Sequence, residues 1–241
     1  VNFLFAYAHP THEQEVRNRL SKEFPDLPIS VSHEVAPIWR EYERASTTIA
    51  DAAVKPMMQA FVKSLDHGLK SRGFERDWAV MKSNGGQMLA QASADRPIQT
   101  VLSGLSGGII AGKAIGERQN AHNVITFDMG GTSTDVGVVA NGSIGYTTAW
   151  EIEFGLPISA PFIDLTTMGA GGGSIAWINK GGMLQVGPQS AGAVPGPACY
   201  GLGGDEPTVT DANVVLGRMN PKNFLGGDMT IDSDKAHQAI E

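Results

Sequence analysis

The residues best suited to chemistry lie in one stretch, Asn123-Val124-Ile125-Thr126-Phe127-Asp128-Met129-Gly130-Gly131-Thr132-Ser133-Thr134-Asp135-Val136-Gly137-Val138-Val139. Two runs rich in Val and Ile suit strands, and a small polar turn separates them. The turn Gly130-Gly131-Thr132-Ser133-Thr134 has two residues able to take positive φ and three hydroxyls. It predicts a β-hairpin whose tip offers backbone N–H groups and O–H donors. Such a tip can cradle an anion, because nothing bulky keeps the anion off the backbone. Asp128 and Asp135 stand at the two mouths of the turn. Carboxylates there repel a bare phosphate but hold a hydrated Mg²⁺ that bridges to one. A solvated hairpin with a polar tip is the other outcome these residues allow.

A second glycine turn follows in Met168-Gly169-Ala170-Gly171-Gly172-Gly173-Ser174-Ile175-Ala176, between two apolar runs. So much glycine is costly in chain entropy, which suggests that something lies against its backbone. The spacing is not that of the dinucleotide fingerprint. Cys199 sits in a loop rich in Gly and Pro over 187–205, either as a nucleophile or as a packed small residue. The histidines are scattered, with no metal-ligand spacing, and His9 and His12 read as a solvated loop pair. No Gly-x-Ser-x-Gly nucleophile elbow occurs.

The elements that must position these residues read as α/β. Val1 to Tyr7 looks like a buried strand, His12 to Phe24 a helix with Thr11 as cap, and Ile29 to Ser32 a small strand. Residues 41–71 carry the clearest helical pattern. Tyr42, Ala45, Ile49, Ala52, Ala53, Met57, Ala60, Phe61, Leu65 and Leu69 form one apolar stripe, with a kink or a break expected near Lys55, before Pro56. Such a helix either connects two domains or packs as an ordinary core helix. Asp77 to Met81 and Ile98 to Leu102 are strand candidates, with a sharp turn at Ser83-Asn84-Gly85-Gly86. Ser103-Gly104 opens a small-residue helix, and Asn141-Gly142 leads into a third meander strand over 143–150. Thr208 to Asn213 begins the last helix, with Thr210 or Asp211 as cap.

Composition narrows the classes. With 241 residues, 41% hydrophobic and 18% charged, the chain is an ordinary globular protein. The 30 glycines, concentrated after residue 84, argue against a helix bundle. A net charge of −7 without a Lys/Arg block argues against a nucleic-acid partner. No apolar run approaches the roughly 18 residues of a membrane span. The single cysteine excludes an internal disulfide and is compatible with the cytoplasm. The start at Val1, inside an expected strand, suggests a fragment.

Together, Thr126 to Asp135, Ser83-Asn84-Gly85-Gly86, Gly169 to Ala176, Gly196-Pro197-Ala198-Cys199-Tyr200-Gly201 and Glu206 to Asn213 with Leu216-Gly217 resemble, in order, the signatures of the hydantoinase A/5-oxoprolinase family. The resemblance implies an actin/hexokinase/Hsp70-like (ribonuclease H-like) ATPase fold, mostly the second of its two domains. It implies residues 1–40 as the end of an upstream α/β domain, 41–76 as a connecting helix and 77–241 as the core domain. It implies ATP and Mg²⁺ as cofactors, with Asp128 and Asp135 as catalytic and metal-holding residues. Gly130, Gly131, Thr132, Ser133 and Thr134 would hold phosphate, and Gly169, Gly171, Gly172 and Gly173 would lie near the nucleotide. The implied activity is ATP-dependent hydrolysis of a cyclic amide of the hydantoin or 5-oxoproline type through a phosphorylated intermediate, with a hydantoinase B-type partner. A ketone carboxylase subunit and a non-catalytic actin-like module are the alternatives. Two departures stand out. Ser103-Gly104-Leu105-Ser106 replaces the family's Ser-Gly-Pro-Ala, and the family's second Asp-x-Gly-Gly-Thr hairpin has no counterpart here.

Overall fold

The computed structural model describes residues 1–152 and 155–241. In chain order the helices are α1 (Thr11–Glu23), α2 (Ser32–Val35), α3 (Glu41–Ser71), α4 (Ala90–Asp95), α5 (Ser103–Arg118), α6 (Val209–Val215) and α7 (Ser233–Ile240). The strands are β1 (Ala79–Met81), β2 (Gln87–Leu89), β3 (Val124–Met129), β4 (Thr134–Ala140), β5 (Ser143–Ile144), β6 (Tyr146–Glu151), β7 (Pro157–Ile163), β8 (Leu165–Met168), β9 (Ser174–Ile178) and β10 (Leu184–Ser190). The class is α/β. Two compact units divide the chain: Val1–Val124 with Val138–Asp164, and Ile125–Gly137 with Leu165–Glu241.

In the first unit, β7 alternates as a half-buried strand should, with Ile158, Ala160 and Phe162 turned inward. With Ile98 they form a core against which Val35, Ala50, Val101, Leu102 and Trp150 pack. β6 pairs antiparallel with β7, from Tyr146↔Ile163 to Glu151↔Pro157, through a bulge. The strand expected over 143–150 is therefore two pieces: β5 stays with β4 and β6 leaves for β7.

The 31-residue α3 is where expected, but its orientation overturns the sequence pattern. The buried residues are Arg44, Thr47, Thr48, Asp51, Lys55 and Val62, whereas Tyr42, Ile49, Met57 and Phe61 are exposed. A polar face can be buried only if its groups are satisfied. The Arg44 guanidinium donates to Ser32 Oγ at 3.1 Å, Ile38 O at 2.8 Å, Phe3 O at 2.8 Å and the Glu41 carboxylate. Asp51 accepts from Ser30 Oγ at 2.6 Å and the Ile98 N–H at 3.1 Å, and Lys55 Nζ donates to Ile29 O at 3.0 Å. Thr47 Oγ1 accepts the Ser159 N–H at 2.9 Å. The helix runs unbroken through Pro56. These anchors offset the hydrogen bond that a helical proline forfeits.

The expected strands at 1–7 and 29–32 are absent for a related reason. Residues 4–8 form turns, with Phe3, Leu4 and Phe5 exposed. Their N–H groups find carboxylates rather than a neighbouring strand: Phe3 N–H donates to Glu13 Oε1 at 2.8 Å and Phe5 N–H to Glu41 Oε1 at 3.1 Å. Glu13 also accepts from Ser32 Oγ, the His33 N–H and His33 Nδ1, which curls residues 32–35 into a helical turn. α1 begins at Thr11, but no side chain caps it. Residues 98–102, expected as a strand, form a 3-10 turn over Pro97–Thr100 instead.

Within the 22 residues Pro97–Arg118, an 18-residue window reaches a mean hydropathy of 1.2, so the expectation that no apolar stretch reaches membrane-span length is corrected. It is not one regular helix. The 3-10 turn and α5 meet at Leu102, whose φ is +60°, leaving a 16-residue α5. That falls short of the roughly 20 residues a spanning helix needs.

In the second unit β3 and β4 form the expected hairpin, with β8 on the other side of β4 in register Thr134↔Met168 to Gly137↔Leu165. β9 and β10 make a second antiparallel pair, so strand reaches into the 187–205 loop as far as Ser190. Cys199, Val214, Ile231 and Ala236 form a small core with Tyr200, Phe224 and Met229 around it. α6 is not the last helix, since α7 follows it, capped by Asp232.

Burial alone pushes the Glu13 carboxyl up. Hydrogen bonds from Ser32, from the His33 N–H and ring, and from Phe3 outweigh that and hold it below the usual range. A depressed carboxyl contributes stability above the ordinary Glu value, and the contribution is lost as pH falls through the folded value. Glu13→Gln is therefore expected to lower the unfolding midpoint at neutral pH and to flatten its fall on acidification. Arg44→Ala should cost about 3–5 kcal/mol because it strips partners from buried groups, whereas Ile49→Ala should stay within about 0.5 kcal/mol. Denaturant unfolding across pH checks all three.

Candidate phosphate-binding site

The turn between β3 and β4 is shaped by backbone contacts. Gly130 N–H donates to Ser133 O at 2.9 Å and closes the turn. The Gly172 N–H then donates to Gly130 O at 2.9 Å, and the Gly173 N–H to Gly131 O at 2.6 Å. A trans peptide is planar, with its C=O and N–H pointing opposite ways. Tying the Gly130 and Gly131 carbonyls to the glycine turn therefore aims the Gly131 and Thr132 N–H groups away from it. Among the described residues, the N–H groups of Gly131, Thr132 and Ser133 and the hydroxyls of Thr132 and Ser133 have no hydrogen-bond partner. Gly130, Gly131 and Thr132 are exposed. Successive unengaged donors on an open turn form an anion nest.

The two carboxylates differ. Asp128 on β3 is exposed and makes no side-chain hydrogen bond among the described residues. Asp135 on β4 is half-buried and accepts from Thr167 Oγ1 at 2.8 Å. No group of three or more His, Cys, Asp or Glu able to hold a metal occurs among the described residues. Two carboxylates suit Mg²⁺, which keeps most of its waters and takes one or two protein oxygens plus phosphate oxygens. Thr134 is not a free donor, because its buried hydroxyl is given to Ala170 O.

Gly171, Gly172 and Gly173 are there for space, not for φ. None of Gly130, Gly131, Gly169, Gly171, Gly172 or Gly173 has a positive φ, which corrects the expectation for the hairpin turn. A Cβ on Gly171 would lie 2.6 Å from the backbone N and C of Thr132. On Gly173 it would lie 3.0 Å from Gly131 O, and on Gly172 2.9 Å from Thr210 Oγ1. What lies against the glycine turn is the Gly130–Thr132 turn itself. Gly169 is exposed, with open space around it. Ser103 and Gly104 belong to the first unit, at the start of α5.

The sequence pattern missed the supports beneath the glycine turn. Ser174 Oγ accepts the Gly171 N–H at 2.7 Å, and Thr210 donates both its N–H and its hydroxyl to Gly172 O, each at 2.8 Å. Thr208, not Thr210 or Asp211, caps α6 in a capping box with Asp211. The Thr-x-x-Asp spacing of 208–211 was the available signal. Asp211, fully buried, also accepts the Ala198 and Cys199 N–H groups at 3.3 and 2.8 Å.

The hydantoinase/oxoprolinase family model matches residues 44–241. The chain belongs to the hydantoinase/oxoprolinase family. It is 38% identical to the caprolactamase subunit alpha of Pseudomonas jessenii over 240 residues, covering 100% of this chain and 34% of that one. It is 37% identical to the 5-oxoprolinase of Saccharomyces cerevisiae over 226 residues, covering 93% of this chain and 17% of that one. Among solved structures, nucleotide-free acetone carboxylase, described in terms of ATP-dependent acetone carboxylation, superposes with a TM-score of 0.80 at 30% identity, over 99% of this chain and 34% of that chain. The ATP-dependent caprolactamase of Pseudomonas jessenii does so with a TM-score of 0.73 at 36% identity, over 99% and 34%. The chain thus spans about a third of the length of the caprolactamase subunit and of both solved chains.

Cys199 is the family-motif residue whose chemistry the structure decides. It is fully buried, and burial first, with the neighbouring Asp211 second, pushes its thiol up to about 12. The thiolate is the nucleophile, so this side chain is core packing. Cys199 is expected to resist iodoacetamide at pH 8 in the folded protein and to react fully in denaturant, as mass spectrometry of the alkylated peptide would show.

Proposed function

We propose that this chain is the phosphate-gripping part of an ATP-dependent enzyme that hydrolyses a cyclic amide of the hydantoin or 5-oxoproline type, working with a hydantoinase B-type partner. The observation that carries the proposal is the row of unengaged N–H and O–H donors at Gly131, Thr132 and Ser133, on an open turn between two carboxylates. Similarity to a 5-oxoprolinase and to an ATP-dependent caprolactamase supports the cyclic amide and the nucleotide. The subunit naming of the caprolactamase relative supports a partner chain. The proposed architecture is the actin-like ATPase fold, with this chain contributing mostly its second domain.

Phosphoryl transfer needs positioning and charge stabilisation more than covalent protein chemistry. The Gly131, Thr132 and Ser133 N–H groups and the Thr132 and Ser133 hydroxyls would hold the phosphate oxygens of ATP. Their fixed orientation means little reorganisation as negative charge shifts during transfer to the amide oxygen. Asp128 and Asp135 would hold Mg²⁺, which supplies neutralisation of the phosphate charge when bound. Transfer would release ADP; water would then attack the activated carbon, the ring C–N bond would break with the nitrogen leaving as the amine, and a second water would release phosphate to leave the carboxylate. A second reading, transfer of phosphate during carboxylation of a ketone, is favoured by the fit to acetone carboxylase.

In the full-length protein with its partner, Asp128→Ala is expected to cut amide-dependent ATP turnover by at least about a hundredfold, the scale of losing a charge-stabilising group. Circular dichroism should show the fold intact. Unchanged turnover would overturn the assignment of Asp128, and no ATP binding by calorimetry with Mg²⁺ would overturn the nucleotide site.

A further inference from the structure

We propose that Thr210 is a positioning residue for the nucleotide phosphates, acting on the Thr132 N–H through two peptide groups. The inference rests on the nucleotide-binding proposal for the Gly130–Ser133 turn.

The path is continuous. Thr210 lies in the first turn of α6 and is buried. Its N–H and hydroxyl both donate to Gly172 O. That carbonyl shares a planar peptide with the Gly173 N–H, which is thereby aimed the opposite way, at Gly131 O 2.6 Å off. The Gly131 carbonyl in turn shares its peptide with the Thr132 N–H, one of the donors left without a partner among the described residues. Two rigid plates thus carry the position of Thr210 to a phosphate-facing N–H. Each accepted hydrogen bond also polarises the next donor in the chain. The neighbouring peptides repeat the pattern: Ser174 N–H donates to Gly171 O at 3.0 Å, and the Gly172 N–H of that same peptide donates to Gly130 O.

Thr210 is itself held from below. The α6 capping box fixes its helix, and Asp211 ties that box to the Ala198 and Cys199 N–H groups. The hydroxyl also fits closely. A side chain on Gly172 would reach within 2.9 Å of Thr210 Oγ1. Any residue but Pro at 210 would supply the backbone N–H, but only Ser or Thr adds a hydroxyl donor in this place.

The test uses the full-length protein with its partner and the variants Thr210→Val and Thr210→Ser. Thr210→Val keeps the shape and removes the hydroxyl. It is expected to weaken MgATP binding about tenfold by calorimetry while leaving the KM for the cyclic amide unchanged, and Thr210→Ser should restore the affinity. Hydrogen–deuterium exchange without nucleotide gives an independent readout, in which residues 170–174 should exchange faster in Thr210→Val than in wild type or Thr210→Ser. Wild-type ATP affinity in Thr210→Val, or no rescue by Thr210→Ser, would overturn the inference. Unchanged exchange at 170–174 would overturn it even if wild type bound no ATP, a result that by itself counts against the nucleotide site.

Discussion

Two backbone hydrogen bonds, Gly172 N–H to Gly130 O and Gly173 N–H to Gly131 O, govern the rest of the second unit. They join two turns that are about 40 residues apart in sequence by direct backbone contact, beside the Thr134 hydroxyl bond to Ala170 O. That closeness explains the glycines: at Gly171 any Cβ would meet the Thr132 backbone. It also explains the polarity of the site. Once the Gly130 and Gly131 carbonyls are consumed by the glycine turn, the N–H groups that share their peptides are left as donors on the other side. An anion then meets N–H and O–H groups without having to displace a protein acceptor.

A different constraint governs the first unit. Its long helix is held by a buried polar face in which Arg44, Asp51 and Lys55 reach backbone and side-chain partners on four other segments. Desolvating such groups costs several kcal/mol per ion, so the arrangement gains little net stability over an apolar core. Its gain lies in specificity, because each directional bond is lost if the segments shift register. The N-terminal turns and α2 are also placed by Glu13 and Arg44, beside the apolar contact of Val35 with the core.

Under the proposed function, the two carboxylates and the donor turn would divide the work of handling a charged nucleotide. The turn contributes oriented dipoles without net charge, so it adds no like-charged competition with a metal. Asp128, exposed and unengaged, keeps its oxygens available, while Asp135 is steadied by the Thr167 hydroxyl. This contrast suits a hydrated metal that exchanges ligands, better than it suits a closed structural metal site.

Much of the second unit was legible in the sequence. The Val/Ile runs around Gly130–Thr134 specified a hairpin, because period-2 runs with a small turn have few other solutions. The α3 span was equally legible from helical periodicity. Periodicity could not say which face is buried. The apolar stripe lies exposed, because the polar face finds partners from Phe3, Ser30, Ser32 and Ile98, groups remote in sequence. The same limit applies to the glycines. Sequence alone announced that something close-packed lies against 169–173, and composition supported both a polar tip and an anion site. Only the tertiary structure decided that the neighbour is the hairpin turn, that Gly171, Gly172 and Gly173 serve clearance rather than positive φ, and that Thr210, Ser174 and Asp211 stand underneath. Apart from the local Ser174–Gly171 bond and the Thr208–Asp211 capping box, those facts depend on contacts between distant segments, which no local pattern encodes.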